Sequence, residues 1–144
     1  MHARDIDRVV SEYVAAWNVS DGVARQRHLH AAWNEAGRFE DPLVSLAGRR
    51  AMDEYIASFK GDHAGVRMLV TGPVDHHHDW FHLGWTLVDR CGTEVLAGCS
   101  VGTLDEQGRI LHLAAFFGRP VLGPCDALAA VALFRAGSSS TAAS

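Results

Sequence analysis

The 144-residue chain is 48% hydrophobic and 21% charged, with a net charge of -4 at pH 7, which fits one globular domain with its own core. No Lys/Arg cluster accompanies that charge, and no uncharged apolar run approaches the ~20 residues of a membrane helix, so neither nucleic acid nor membrane is an expected partner. Met1-His2-Ala3-Arg4-Asp5 lacks the apolar stretch of a secretory signal, and Cys91, Cys99 and Cys125 have no metal-like spacing, so free thiols in a cytoplasmic setting are expected.

Ile6, Val9, Val10, Tyr13, Val14 and Trp17 recur at helical spacing and share one face of a first helix, closed by Asn18 and the Asp21-Gly22 turn. Asp21 is a candidate N-cap for a second helix that runs to about Trp33. Residues 37–41 read as a short strand, ended by Pro42 because proline has no N–H for a ladder. Met52, Tyr55, Ile56 and Phe59 repeat the helical spacing and predict a third helix from about Arg49.

Strands are predicted at residues 66–71, 78–89, 94–104 and 109–117. The links Asp89-Arg90-Cys91-Gly92 and Asp105-Glu106-Gln107-Gly108 are short, polar and end in glycine, which is hairpin chemistry and makes these strands antiparallel neighbours. Helices followed by a meander give an α+β domain over residues 1–120. Residues 121–144 form an expected C-terminal extension, with an Ala/Leu-rich helix at about 126–135 and a low-complexity tail at 138–144.

Two stretches suggest chemistry. Tyr13-Val14-Ala15-Ala16-Trp17-Asn18 sets one phenol among apolar helix positions, and Phe39-Glu40-Asp41-Pro42-Leu43 ends a strand on a carboxylate. Proton transfer next to a carbonyl needs such a donor and such a base. Plainer roles stay open: Tyr13 as a core tyrosine with its hydroxyl at the edge, and Asp41 as a turn cap before proline. Because Glu40 and Asp41 alternate along the strand, only one of them faces inward.

The run His76-His77-His78, followed by His82, suggests a metal. In a strand His76 and His78 share a face ~6.6 Å apart, but His82 lies ~13 Å from His78 and no cysteine or further carboxylate completes a set. No metal site is predicted, and the run reads as a polar strand entrance. Nucleophile-elbow, phosphate-loop and dinucleotide motifs do not occur.

In order and spacing, these motifs, with Gly48-Arg49-Arg50-Ala51-Met52, Gly108-Arg109-Ile110-Leu111 and Phe116-Phe117-Gly118, resemble the NTF2-like superfamily. That superfamily includes nuclear transport factor 2, ketosteroid isomerase and the SnoaL-like polyketide cyclases, and the resemblance spans residues 6–118. It implies a cone-shaped fold in which three N-terminal helices pack on a curved antiparallel sheet enclosing an apolar pocket. Carried over by position, it makes Tyr13 the donor to a developing enolate and Asp41 the general base, then acid. The second donor of ketosteroid isomerase, a protonated aspartate, corresponds to Ser100 here, a weaker acid. This departure implies a substrate whose carbanion is already stabilised, such as a β-dicarbonyl or polyketide-like compound.

The same resemblance turns the even-numbered residues of the strand at 78–89 toward the pocket, including His78, Trp80 and His82. His82 is then either a satisfied core histidine or a second donor to substrate oxygen. Phe81, Leu83, Trp85 and Leu87 are expected in a dimer interface. Trp17, Tyr55, His78, Trp80 and Phe117 are the expected substrate-binding residues. The implied function is a cofactor-independent isomerase or cyclase acting on a small apolar carbonyl compound, polyketide- or steroid-like, in a homodimer. Two alternatives are a noncatalytic small-ligand-binding or dimeric interaction module, and an epoxide-opening, ether-forming cyclase.

Overall fold

Among the described residues, three helices pack on one curved, mixed sheet of seven strands. The computed structural model describes residues 5–119, so the predicted extension at 121–144 lies outside the described residues. The helices are α1 (Ile6–Asn18), α2 (Gly22–Ala32) and α3 (Arg49–Asp62). The strands are β1 (Trp33–Glu40), β2 (Ser45–Ala47), β3 (Arg67–Val70), β4 (Asp75–His77), β5 (Trp80–Val88), β6 (Glu94–Leu104) and β7 (Ile110–Phe117). They lie in the order β2-β1-β7-β6-β5-β3, with β4 also paired to β5. Among the described residues, no helix is long and apolar enough to cross a membrane.

Local chemistry accounts for the element ends. Asp5 accepts from Arg8 N at 3.1 Å and Asp21 from Ala24 N at 2.9 Å, so α1 and α2 both start on side-chain caps. The two hairpins repeat one device. Asp89 Oδ1 accepts from Cys91 N and Thr93 N, Asp105 Oδ1 accepts from Gln107 N and Arg109 N, and each turn closes on a glycine with φ of 81°. A partly buried ion pair, Arg25 Nε to Asp53 Oδ1 at 2.7 Å, ties α2 to α3.

The structure departs from the sequence expectations in four places. First, α2 stops at Ala32 and β1 begins at Trp33, four residues ahead of the predicted strand. Trp33 serves as the corner: its indole N–H donates to Gly37 O at 3.1 Å, and Arg49 Nη2 donates to its carbonyl at 2.7 Å. Second, β1 lies parallel to β7, whereas the other pairs are antiparallel, because the two strands are joined through the rest of the sheet and not by a hairpin. Third, His76 and His77 belong to a separate strand, β4, and His78 sits in the turn to β5 with φ of 54°.

The fourth correction concerns β5 and bears on function. Its odd-numbered residues, Phe81, Leu83, Trp85 and Leu87, are buried in the core, while Trp80 is 53% exposed and His82 is exposed. Burying a large apolar side chain is worth ~1.5–3 kcal/mol, so four of them outweigh a face of Trp, His, Gly and Thr. His78, Trp80 and His82 are therefore outside the pocket, and the apolar face expected in a dimer interface is the inner wall of this domain.

β6 shows how tightly that wall is built. A Cβ on Gly98 would lie 2.3 Å from Trp85 Cζ2 and 2.3 Å from Phe116 O. Gly98→Ala should therefore destabilise the domain by about 1–3 kcal/mol, measured as a lower urea midpoint with an unchanged slope.

Candidate functional site

Between α1, α3 and the inner face of the sheet lies a largely apolar cavity of about 200 Å³. α1 contributes Tyr13 and Trp17, one turn apart on the same face. Phe39 of β1, Asp41 just beyond its end, Tyr55 and Phe59 of α3, Trp85 of β5 and Ser100 of β6 supply other parts of the wall. Asn18 holds α1 in register with β3: its Nδ2 donates to Met68 O at 2.9 Å, and its Oδ1 accepts from Met68 N at 2.8 Å. The two halves of the cavity are joined by that clamp.

Three donors converge on Asp41. Its Oδ1 accepts from Leu43 N at 2.8 Å and from Val44 N at 3.0 Å, closing a turn around Pro42. Its Oδ2 accepts from Tyr55 Oη at 2.6 Å. Turn cap and cavity carboxylate, the two readings left open by the sequence, are thus combined in one side chain. A carboxylate offers ~4 acceptor sites, so three bonds leave Oδ2 with capacity for another partner. Glu40 points to the other face of β1, where Oε1 meets His112 Nε2 at 2.7 Å.

Both phenols of the cavity are held in their neutral form. Burial pushes the ionisation of Tyr13 well up, the Trp17 indole beside it acts in the opposite sense, and the charge of Asp41 and the phenol of Tyr55 add to the rise. Tyr55 is raised by burial, then by donating its proton to Asp41 and by the charge there. These are the chain's two tyrosines, so tyrosinate absorbance reports on this site alone. A phenol whose folded pKa is raised contributes stability that is complete below its unfolded value of ~10 and is lost as pH rises through the folded value. At a pH of ~10.5 the native protein should therefore show little tyrosinate and the urea-unfolded chain more than half, read by ultraviolet difference absorbance.

The structure brings six of the residues expected from sequence to this cavity: Tyr13, Trp17, Asp41, Tyr55, Ser100 and Phe117. Ser100 is 2% exposed and accepts from Trp85 Nε1 at 3.0 Å, which leaves its own O–H free to donate. Phe117 stands at the rim, edge-on to Trp85 with centroids 6.2 Å apart. Three others are elsewhere. Trp80 and His82 line an open hollow on the outer face with Asp75 and His77, and exposed His78 lies with its Nδ1 3.1 Å from His77 Nδ1. Among the described residues, no group of three or more His, Cys, Asp or Glu is arranged to hold a metal ion.

Sequence reasoning missed Phe39, Phe59, His63, Met68, Trp85 and Leu87 as lining residues. The signal for Trp85 and Leu87 was present in the apolar alternation of β5. For His63, whose ring lies 4.9 Å from Phe59 at the end of α3, no sequence signal existed.

The chain matches no protein-family model and no curated protein. Solved structures do match. A SnoaL-like family protein from Agrobacterium tumefaciens, classed provisionally as an isomerase, is 29% identical over 77% of this chain and 95% of its own, with a TM-score of 0.73. A protein from Sinorhizobium meliloti, classed provisionally as a polyketide cyclase, is 18% identical over 74% of this chain and 92% of its own, with a TM-score of 0.59. An NTF2-like protein of unknown function from Cytophaga hutchinsonii is 17% identical over 81% of this chain and 93% of its own, with a TM-score of 0.61.

Proposed function

Starting from a chain that belongs by fold with the SnoaL-like and NTF2-like proteins, we propose that it is an isomerase or cyclase acting on a small apolar carbonyl compound. Asp41 removes a proton from the carbon next to the carbonyl and returns it to another position, while Tyr13 donates to the oxygen as negative charge develops. One observation carries this reading: a carboxylate and a buried neutral phenol share a single apolar cavity. Side chains alone can run that chemistry, and no cofactor is invoked. Tyr55 positions the base, since its hydroxyl fixes Oδ2 from the side of α3.

Size refines the substrate class. A cavity of about 200 Å³ is smaller than the ~300–1,000 Å³ of sites for drug-sized ligands, which favours a compound of one or two rings over a four-ring steroid. Conversion of a β,γ-unsaturated cyclic ketone to its conjugated isomer, followed by ultraviolet absorbance, tests the reading. Saturable turnover is the expected result, and saturable binding without turnover speaks for a binding module. One observation favours that second reading: Asp41 already accepts three hydrogen bonds, two of which serve the turn.

A further inference from the structure

The four tryptophans of the chain differ in what their indole N–H groups meet. Trp33 Nε1 donates to Gly37 O at 3.1 Å and Trp85 Nε1 to Ser100 Oγ at 3.0 Å, while Trp80 is exposed. Trp17 is 7% exposed, and its Nε1 is a buried donor that meets no acceptor at hydrogen-bond geometry among the described residues, although it lies close enough to the Tyr13 hydroxyl to favour that phenol's anion. No other side-chain nitrogen or oxygen among the described residues is in that state. A buried donor without an acceptor carries a desolvation penalty that the free protein does not recover, so the group calls for an explanation.

The surroundings of Trp17 point to a ligand. Its ring lines the same cavity as Tyr13 and Asp41. It is held edge-on by Tyr55, with centroids 6.2 Å apart, and by Phe59 at 5.4 Å, so the direction of its N–H is set by packing before anything binds. Tyr13 precedes it by one turn of α1, which sends two donors into one apolar space from one rigid element. Neither is an acceptor in that role. The complement of such a pair is an oxygen that accepts twice.

We propose that Trp17 Nε1 is a direct donor to the substrate, clamping with Tyr13 Oη one carbonyl oxygen carried on a flat unsaturated ring. The assignment rests on the cavity being the substrate site, and it adds a donor to the sequence candidates for that role, Ser100, whose hydroxyl accepts from Trp85 and can still donate, and His82, which is exposed outside the cavity. It also sets specificity. A ligand with an enolate-like oxygen satisfies the buried N–H, whereas the bare hydrocarbon of the same shape leaves it unpaired.

The test compares two ring-matched probes, β-naphthol and naphthalene, on the whole chain. Indole N–H resonances are followed in nitrogen–proton correlation spectra, with Trp17 assigned through Trp17→Phe. The expected result is a downfield move of the Trp17 N–H with β-naphthol beyond any ring-current shift that naphthalene causes. Trp17→Phe should weaken β-naphthol about tenfold more than it weakens naphthalene, which loses only ring contact. If both probes move the Trp17 signal alike, or the substitution weakens both equally, Trp17 is wall only and the assignment falls while the cavity reading stands. If neither probe perturbs Trp17 or Trp85, the cavity reading falls and takes the assignment with it. If the variant does not fold, the Trp17 N–H is assigned in the wild type by nuclear Overhauser contacts of its indole with Tyr55 and Phe59, and the two-probe comparison still decides the matter.

Discussion

Asp41→Asn is expected to lower turnover of an enolisable cyclic ketone by ~10²–10⁴-fold, the range that general acid–base groups contribute. The substitution is chosen because it spares the fold. Asparagine keeps a carbonyl oxygen where Asp41 Oδ1 accepts from Leu43 N and Val44 N, so the turn around Pro42 survives. Its amide nitrogen then replaces Oδ2 opposite Tyr55 Oη, where it can donate to the phenol oxygen, reversing that hydrogen bond without abolishing it. The unfolding free energy should therefore change by no more than about 1 kcal/mol, the net value of one hydrogen bond. Asp41→Ala makes the contrast: it removes the acceptor for three donors and should cost both activity and stability. An Asn variant that is stable and fully active would place the base elsewhere.

The second large effect belongs to Tyr13. Tyr13→Phe should lower kcat by ~10²–10³ while changing KM little, because a donor aimed at developing charge acts in the transition state more than in the bound ground state. The ring has its own structural role, stacked on Trp33 with centroids 5.9 Å apart and planes 20° from parallel. Phenylalanine preserves that stack, so a loss of rate with an unchanged unfolding midpoint separates the hydroxyl from the ring. A fall in stability with no fall in rate would mean that Tyr13 is a core residue and nothing more. The same variant should halve the tyrosinate signal seen on alkaline unfolding, since Tyr55 alone remains.

Much of the frame was legible because it depends on local patterns. The spacing from Ile6 to Trp17 predicts the buried face of α1, and the buried residues of that helix are Ile6, Val9, Val10, Tyr13, Ala16 and Trp17. Asp89 and Asp105, each followed by a glycine three residues on, predict the two hairpins that set the order of β5, β6 and β7. Features that depend on partners distant in sequence were not legible. β2 is three residues long and exists by pairing with β1, and the early start of β1 depends on Arg49 reaching back to Trp33. No periodicity records either contact.

Facing was the larger error, and its cause is instructive. β5 carries aromatic residues on both faces, Trp80 on one and Phe81 and Trp85 on the other, so alternation alone left two solutions differing by a one-residue slip. Summing the apolar area on each face selects the odd-numbered set, which is the buried one. In the site itself, Tyr13 and Asp41 could be named from sequence, but the hydrogen bond from Tyr55 to Asp41 joins residues on α3 and at the end of β1 and could only be seen in three dimensions. Trp17 could be named as wall, whereas its unpaired N–H is a property of the packed core.

The most direct measurement is deuterium uptake at the α-carbon of β-tetralone in heavy water, with wild type and Asp41→Asn compared at equal occupancy. Proton transfer by Asp41 predicts saturable exchange well above the buffer rate in the wild type, lost in the variant although the ketone still binds. Exchange that survives the substitution, or a wild type that binds the ketone and exchanges nothing, contradicts it.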